Sequence, residues 1–373
     1  MEDIIFSSKV IEKGVRDSNK YILLDNTLFY PDGKGGQLGD RGEIDGKKVL
    51  FVYEDNDKIY HLVEDYPEKV DVISRIDGKR RKDISIQHTS QHILSRVILN
   101  LFNRETLSFH MGEEYSTLDV EYYNFNDNDI KKIEEEANKI VTDKKNVKIY
   151  IIDKEKIDEF ELRKKVSLKN KIRIVDIENF DKTMCGGTHV ENTMEIKLIK
   201  IAKYEKFKGN MIRIYYLSGD RAILDYNIKS EILNKIKNRF SIGFNEIENF
   251  INNILNERDA LLKRVKILKE QYIKKLIEEI NDEIYINYFP FFDSVDLLYL
   301  TKKLILNKTN FTYLYNDEFG VINKKENFNL NLFLILDELK KRFNVKGGGK
   351  EFLSLKIEGK GKEIEKFLWE KIK

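Results

Sequence analysis

At 373 residues the chain is longer than one hydrophobic core usually spans, and 41% apolar, 11% aromatic and 35% charged residues describe a folded, well-solvated protein and exclude a disordered one. Sixty-six basic against 64 acidic residues leave +2, so no global field draws the chain to nucleic acid and any such affinity has to come from local patches. The single cysteine excludes an internal disulfide, the opening MEDIIFSS is no secretory leader, and no stretch approaches a membrane span, so a cytoplasmic protein without a membrane partner is expected.

The expected fold class is α+β. In chain order, the β-rich runs Tyr21 to Leu24, Thr27 to Tyr30, Val49 to Tyr53 and Ile59 to Val63, parted by glycine and Asn/Asp breaks, predict a small N-terminal antiparallel β-barrel over 1–76. The basic stretch Lys79 to Lys82 leads into a helix from about Asp83 to Asn103, with Ile84, Ile93, Leu94, Val97, Ile98 and Leu101 at helical spacing. A strand from Ser116 to Tyr123, a charged helix from Asp127 to Thr142, and strands from Val147 to Ile152 and Met211 to Leu217 complete an α+β unit over 77–219. Segment 220–283 has no proline and keeps a 4-3-4 apolar spacing at Leu261, Val265, Leu268 and Tyr272. It reads as a long helical hairpin or coiled coil interrupted near Gly243. The last segment, 284–373, returns to α/β: a helix from Asn331 to Arg342, a turn at Gly347 to Gly349, a strand from Phe352 to Ile357 and a final helix from about Lys362.

Chemistry concentrates in two short motifs. In His88-Thr89-Ser90-Gln91-His92 a separation of four on a helix puts both imidazoles on one face. In Cys185-Gly186-Gly187-Thr188-His189 a thiol and an imidazole have the same separation, with two glycines to let the backbone bend beside a metal. An isolated His-x-x-x-His is commonly a pair of solvated side chains, and a lone cysteine a small apolar one. Economy changes the balance: of five histidines and one cysteine in the chain, three histidines and the cysteine fall in these two pairs. The mixed nitrogen and sulfur set suits Zn²⁺. No glutamate sits between His88 and His92, which disfavours a zinc protease.

These motifs resemble the editing domain of alanyl-tRNA synthetases and of the free-standing AlaX editing proteins. The likeness extends to the Phe29-Tyr30-Pro31 segment ending in Gly35-Gly36-Gln37, to Asp77 through Arg81, Thr106 through His110, the run from His189 to Ile196, and Gly209 through Ile214. The glycines after Val345-Lys346 look like a reduced form of the glycine-rich segment in the synthetases' C-terminal domain, and three residues, Asp32 to Lys34, stand where many relatives have two. With no segment left for amino-acid activation, the resemblance implies the long AlaX type, a trans-editor acting on tRNA charged elsewhere.

What the resemblance implies is zinc-dependent hydrolysis of the ester joining serine, with glycine as a second candidate, to alanine tRNA. His88, His92, Cys185 and His189 hold the zinc. Four protein ligands close a tetrahedron, which favours an orienting role for the metal, with water supplied by the substrate complex. Selectivity has to read one hydroxyl, and a site built to bond it discriminates by roughly 10⁴ in favourable cases. Gln91, Thr106 and Ser108 are the candidates for its polar partner. Gly35, Gly36 and Gln37 offer a backbone-lined approach for the terminal nucleotide. Lys79, Arg80, Arg81 and Lys82 are expected at the RNA phosphates, as are Lys340, Lys341, Arg342, Lys346 and Lys350, which fall in a stretch free of acidic residues. His61 and His110 are weaker candidates, since a lone histidine is usually a hydrogen-bonding surface or core residue. The partner is mischarged tRNA(Ala), and the helical or C-terminal region is a candidate homodimer contact. Two alternatives stay open: a non-catalytic tRNA-binding protein with a structural zinc, which binds without hydrolysis, and another zinc-dependent acyl hydrolase, which also cleaves free acyl compounds.

Overall fold

The computed structural model describes residues 2–122, 124–163 and 171–372, apart from the side chain of Asp158. It is α+β and divides into two compact units, Met1–Arg239 and Phe240–Lys373.

The first unit opens with β1 (Ile4–Arg16), β2 (Asn19–Leu24), β3 (Gly42–Ile44), β4 (Lys47–Asp55), β5 (Lys58–Val63) and β6 (Asp71–Ile76). They close into an antiparallel ring in the order β1-β2-β5-β4-β3-β6, with β6 returning to β1. The long strand β1 serves both neighbours because its register shifts between Val10 and Glu12, and a bulge there bends the strand. Ile22, Leu24, Phe29, Ile44, Val52, Val72 and Ile76 fill the interior. The run Thr27 to Tyr30, β-prone by composition, is not a strand. Its backbone is held by side chains instead: Phe29 N–H donates to Thr27 Oγ1 at 3.2 Å and Tyr30 N–H to Asp40 Oδ2 at 2.5 Å, while Phe29 plugs the ring.

His61 is buried in this ring, with Nε2 2.9 Å from Thr27 Oγ1 and Nδ1 3.3 Å from Ile22 O. Burial lowers its pKa from 6.5 to about 4. A lowered value means the folded state binds fewer protons than the unfolded one, so this contribution is whole above 6.5 and drains as pH falls toward about 4. Denaturant midpoints taken at about pH 7 and about pH 4.5 should fall by an amount equivalent to roughly 2 kcal/mol more in the wild type than in His61→Gln. Parallel slopes in the two proteins would remove His61 from the acid response.

Next comes α1 (Gly78–Phe102), which starts five residues before the expected Asp83. Asp77 caps it by accepting from Lys79 N–H and Arg80 N–H, so the basic stretch 79–82 forms the first helical turn instead of leading into it. The helix packs on α2 (Asp127–Thr142), β7 (Thr106–Met111), β11 (Asp181–Met184) and β13 (Met211–Ser218). It is buried on nearly every face from Ile84 to Ile98, and most of its polar side chains there are bonded internally, as where Gln87 exchanges hydrogen bonds with Ser218 N and O. Leu101, counted among its apolar positions, is exposed. The expected strand from Ser116 is β8 (Ser116–Glu121), with Tyr123 outside the described residues. β9 (Val147–Asp153), β10 (Lys171–Ile177) and β11 make one sheet, while β12 (Ile199–Phe207), β13, β8 and β7 make another. Helix α3 (Asp220–Phe240) follows.

In the second unit a break around Gly243 is followed by α4 (Ile247–Glu279), on which Leu261, Val265, Leu268 and Tyr272 are exposed. A five-stranded sheet follows, built from β14 (Ile284–Tyr288), β15 (Phe311–Tyr315), β16 (Phe319–Lys324), β17 (Lys346–Gly348) and β18 (Phe352–Lys356) in the order β14-β15-β16-β18-β17. Helices α5 (Ser294–Leu306), α6 (Leu332–Phe343) and α7 (Gly361–Ile372) accompany it. The expected glycine turn is instead mostly the edge strand β17, antiparallel to β18. Gly347 has φ +144°, and a Cβ there would lie 2.1 Å from Ser354 O, so the glycine permits close pairing rather than chain reversal. Among the described residues no helix is long and apolar enough to cross a membrane.

Candidate metal centre

α1 carries His88 and His92 one turn apart, and the segment after β11 carries Cys185 and His189. The four donor atoms lie within 4.8 Å of one another. Cys185 Sγ is 3.4 Å from His88 Nε2 and 3.3 Å from His189 Nε2, and the three imidazoles are buried.

The surroundings decide which nitrogen faces inward. Thr89 Oγ1 gives its proton to Ser85 O at 2.8 Å, so toward His189 Nδ1, 3.1 Å away, it can only accept, as it also does from Val190 N–H. Gln37 Oε1 accepts from Thr188 N–H at 2.9 Å, so the same oxygen accepts from His88 Nδ1 at 2.6 Å. Both rings therefore carry their proton on Nδ1 and turn the Nε2 lone pair to the centre.

Burial pushes His88 down to about 3 and His92 and His189 well below the usual imidazole value. The charge of Arg173 acts in the same direction on all three, and neighbouring imidazoles add to it at His92 and His189. Burial also pushes the Cys185 thiol up, against a hydrogen bond from Gly187 N–H and the charge of Arg173. Without a cation the cluster is three neutral rings and a thiol, with the lone pairs of His88 and His189 turned inward. Such a set fits a metal ion, which would take the lone pairs and hold the sulfur as thiolate.

Two glycines give the loops room. A Cβ on Gly187 would lie 2.1 Å from His88 Cε1, whereas one on Gly186 meets nothing within 4 Å. Gly36, at φ +77°, lets the loop after Tyr30 approach Phe109 O, and the Phe109 ring stacks on His88 at 5.4 Å.

The remaining sequence candidates have these places. Gln37 is 1% exposed and turned to His88 and Thr188, so its side chain orients the His88 ring and does not face solvent, while Gly35 is exposed. Gln91 Nε2 and Thr106 Oγ1 both donate to Ser95 Oγ, at 2.8 and 2.9 Å. Ser95, Thr106, Leu99, Glu105 and Arg163 line a niche of about 10 Å³. Ser108 stands apart: its hydroxyl donates to Asp119 Oδ2 at 2.5 Å, and Asp119 is clamped by Arg213. Arg80 pairs with Glu113 and Gly39 O, Arg81 with Asp40 and Leu28 O, and Lys82 with Glu195. These bonds join the start of α1 to neighbouring segments, and of the cations expected at RNA, Lys79, Lys340, Lys341, Arg342, Lys346 and Lys350 are exposed. Lys350 lines a cavity of about 1490 Å³ in the second unit. His110 is exposed. Thr89, Asp181 and Arg173 were not singled out by the sequence: Thr89 lies inside a motif, and nothing local marks the other two.

Residues 172–215 match the family described as the threonyl and alanyl tRNA synthetase second additional domain. The chain is 29% identical to alanyl-tRNA editing protein AlaX-L of Pyrococcus horikoshii over 98% of its own length and 95% of the relative's. It is 30% identical to alanine–tRNA ligase of Sulfurisphaera tokodaii over 74% of this chain and 31% of that protein. With alanyl-tRNA editing protein Aarsd1-B of Xenopus laevis it shares 31% identity over 58% of this chain and 54% of the relative. Over nearly its whole length, then, the chain is similar to an AlaX-type alanyl-tRNA editing protein of the long type, and over part of it to alanine–tRNA ligases.

Proposed function

We propose that this protein is a zinc-dependent trans-editing hydrolase that works in the cytoplasm and removes serine, with glycine as a second substrate, from mischarged tRNA(Ala). The observation that carries the reading is the convergence of His88, His92, Cys185 and His189 donors within 4.8 Å of one another. The sulfur-to-nitrogen distances of 3.3 and 3.4 Å are near the ~3.5 Å edge of a tetrahedron with zinc bonds of ~2.3 Å to sulfur and ~2.0 Å to nitrogen. The relatives' names supply the reaction class, alanyl-tRNA editing. The four expected segments, 1–76, 77–219, 220–283 and 284–373, then divide the work into substrate approach, hydrolysis, spacing and further RNA contact. The exposed apolar positions on α4 support a homodimer through the helical region.

Zinc bound to these ligands would polarise the ester carbonyl or orient the aminoacyl group. The chain's own residues do the rest. Gln37 and Thr89 fix two ligand rings through their Nδ1 protons, and burial of the cluster keeps bulk water from competing for the donors. The amide of Gln91, the residue before His92, and the hydroxyls of Ser95 and Thr106 form a connected polar set, suited to sensing the hydroxyl by which serine differs from alanine. The exposed Lys79, Lys346 and Lys350 supply phosphate contacts and salt-sensitive affinity.

The test is deacylation of seryl- and alanyl-tRNA(Ala) by purified protein, which should strongly favour the seryl ester. Hydrolysis of free seryl esters at a comparable rate, or of neither tRNA, would sink the reading. Within it, Thr106→Val should lower the seryl-over-alanyl preference about tenfold, the equivalent of one hydrogen bond. Ser108→Ala should leave the preference in place, because that hydroxyl is already committed to Asp119. The reverse pattern would move the selectivity site to Ser108.

A further inference from the structure

We propose that Asp181 is the positioning residue for His92: its Oδ2 accepts the His92 Nδ1 proton and so turns the Nε2 lone pair toward the cation. The inference rests on the metal-centre reading above, and it explains an asymmetry in the site. His88 has Gln37 and His189 has Thr89 against Nδ1. For His92, Asp181 Oδ2 lies 3.7 Å from Nδ1, and neither atom has a hydrogen-bond partner among the described residues. Reaching the ~2.9 Å of a hydrogen bond takes a shift of somewhat under about 1 Å, within reach of a rotation of the ring or of the carboxylate.

Asp181 is built for the task. It is 1% exposed on β11, and its other oxygen, Oδ1, accepts from Arg96 Nε at 2.9 Å and Arg163 Nε at 3.0 Å. Arg96 lies one turn beyond His92 on α1, and Asp181 lies four residues before Cys185, so both ligand-bearing elements contribute to the support. Serving two partly exposed arginines does not explain why a carboxylate is buried with one oxygen idle, because buried ion pairs are weak contributors to stability. An idle oxygen aimed at the idle nitrogen of a ligand ring does explain it.

The geometry distinguishes this role from a structural one. Both arginines donate to Oδ1, so in Asp181→Asn the amide oxygen stays with them and the NH₂ group faces His92. Nδ1 must then accept, the ring proton moves to Nε2, and the lone pair needed by the metal is gone. Asp181→Ala removes the acceptor without imposing the wrong tautomer. A purely structural aspartate predicts asparagine to be the milder change, whereas the positioning role predicts it to be the worse one for metal.

The experiment has two readouts on the full chain. Nitrogen-15 NMR of histidine rings in the metal-free wild type should find the His92 proton on Nδ1, and in Asp181→Asn on Nε2. Competition with a chromophoric chelator should find Zn²⁺ affinity at least about tenfold weaker in Asp181→Asn than in wild type, with Asp181→Ala between them. A His92 proton on Nε2 in the wild type, or equal zinc affinity in wild type and Asp181→Asn, overturns the proposal. The wild-type tautomer needs no variant to fold. Wild-type protein that took up no zinc would defeat the function proposed above, while the tautomer measurement would still judge Asp181.

Discussion

Cys185→Ser is expected to weaken zinc binding by about 10² or more and to abolish seryl-tRNA deacylation at limiting zinc. Zinc sites of this type contribute roughly 10–16 kcal/mol through four ligands, so the loss of one amounts to about 3 kcal/mol. The thiolate is more than a quarter of the set here, because it brings the only negative charge among the four ligands. The Arg173 guanidinium donates to the Cys185 carbonyl oxygen at 2.7 Å, so without that thiolate a dication would sit among neutral rings beside a fixed positive charge. His88→Asn, which removes a neutral ligand, should cost less affinity than Cys185→Ser. Equilibrium competition with a chelator measures both, alongside circular dichroism to check folding. Zinc affinity in Cys185→Ser within a few fold of wild type would remove the cysteine from the ligand set.

Gly187→Ala should come close to deleting His88. The new methyl would lie 2.1 Å from His88 Cε1, 2.3 Å from its Nδ1 and 2.6 Å from Gln37 Oε1, so either the ring or the loop has to move and the Gln37 bond is lost. Overpacking of this kind destabilises by about 1–3 kcal/mol, and a displaced ligand ring adds a large drop in zinc affinity. Its neighbour is the control. Gly186→Ala meets nothing within 4 Å and should change stability by no more than about 0.5 kcal/mol, with zinc affinity intact. Thermal unfolding and chelator competition on the pair would contradict the account if the two alanines behaved alike.

The convergence of the two candidate ligand pairs was legible because helical periodicity puts residues four apart on one face, and because histidine and cysteine are scarce in this chain. Their supports were not. Gln37 and His88 are 51 residues apart, Thr89 and His189 100 residues apart, and a threonine or an aspartate alone carries no sign of the ring it will hold. Gln37 stood out only through resemblance, as part of a backbone-lined approach for the tRNA end, and nothing local announced that its side chain turns to His88. The basic run at 79–82 illustrates a different limit: charge composition does not reveal that Asp77 starts the helix there, nor that Arg80, Arg81 and Lys82 find carboxylates in segments far along the chain.

Fold expectations followed the same division. The helix Asp127–Thr142 has its expected bounds because Asn126 and Asp129 form a capping box, a signal contained in four residues. Thr27 to Tyr30 and Gly347 to Gly349 differ from expectation because propensity was overridden by partners elsewhere: Asp40 captures one backbone, and β18 pairs with the other. The strands β1, β3 and β6, which complete the ring, were not anticipated, since their short or mixed alternation acquires meaning only once the ring closes.

The most direct test combines metal analysis and catalysis on one preparation. The account predicts about one zinc per chain, hydrolysis of seryl-tRNA(Ala) that disappears when a chelator strips the metal, and its return when zinc is restored. Full seryl-tRNA(Ala) hydrolysis by metal-free protein would contradict it.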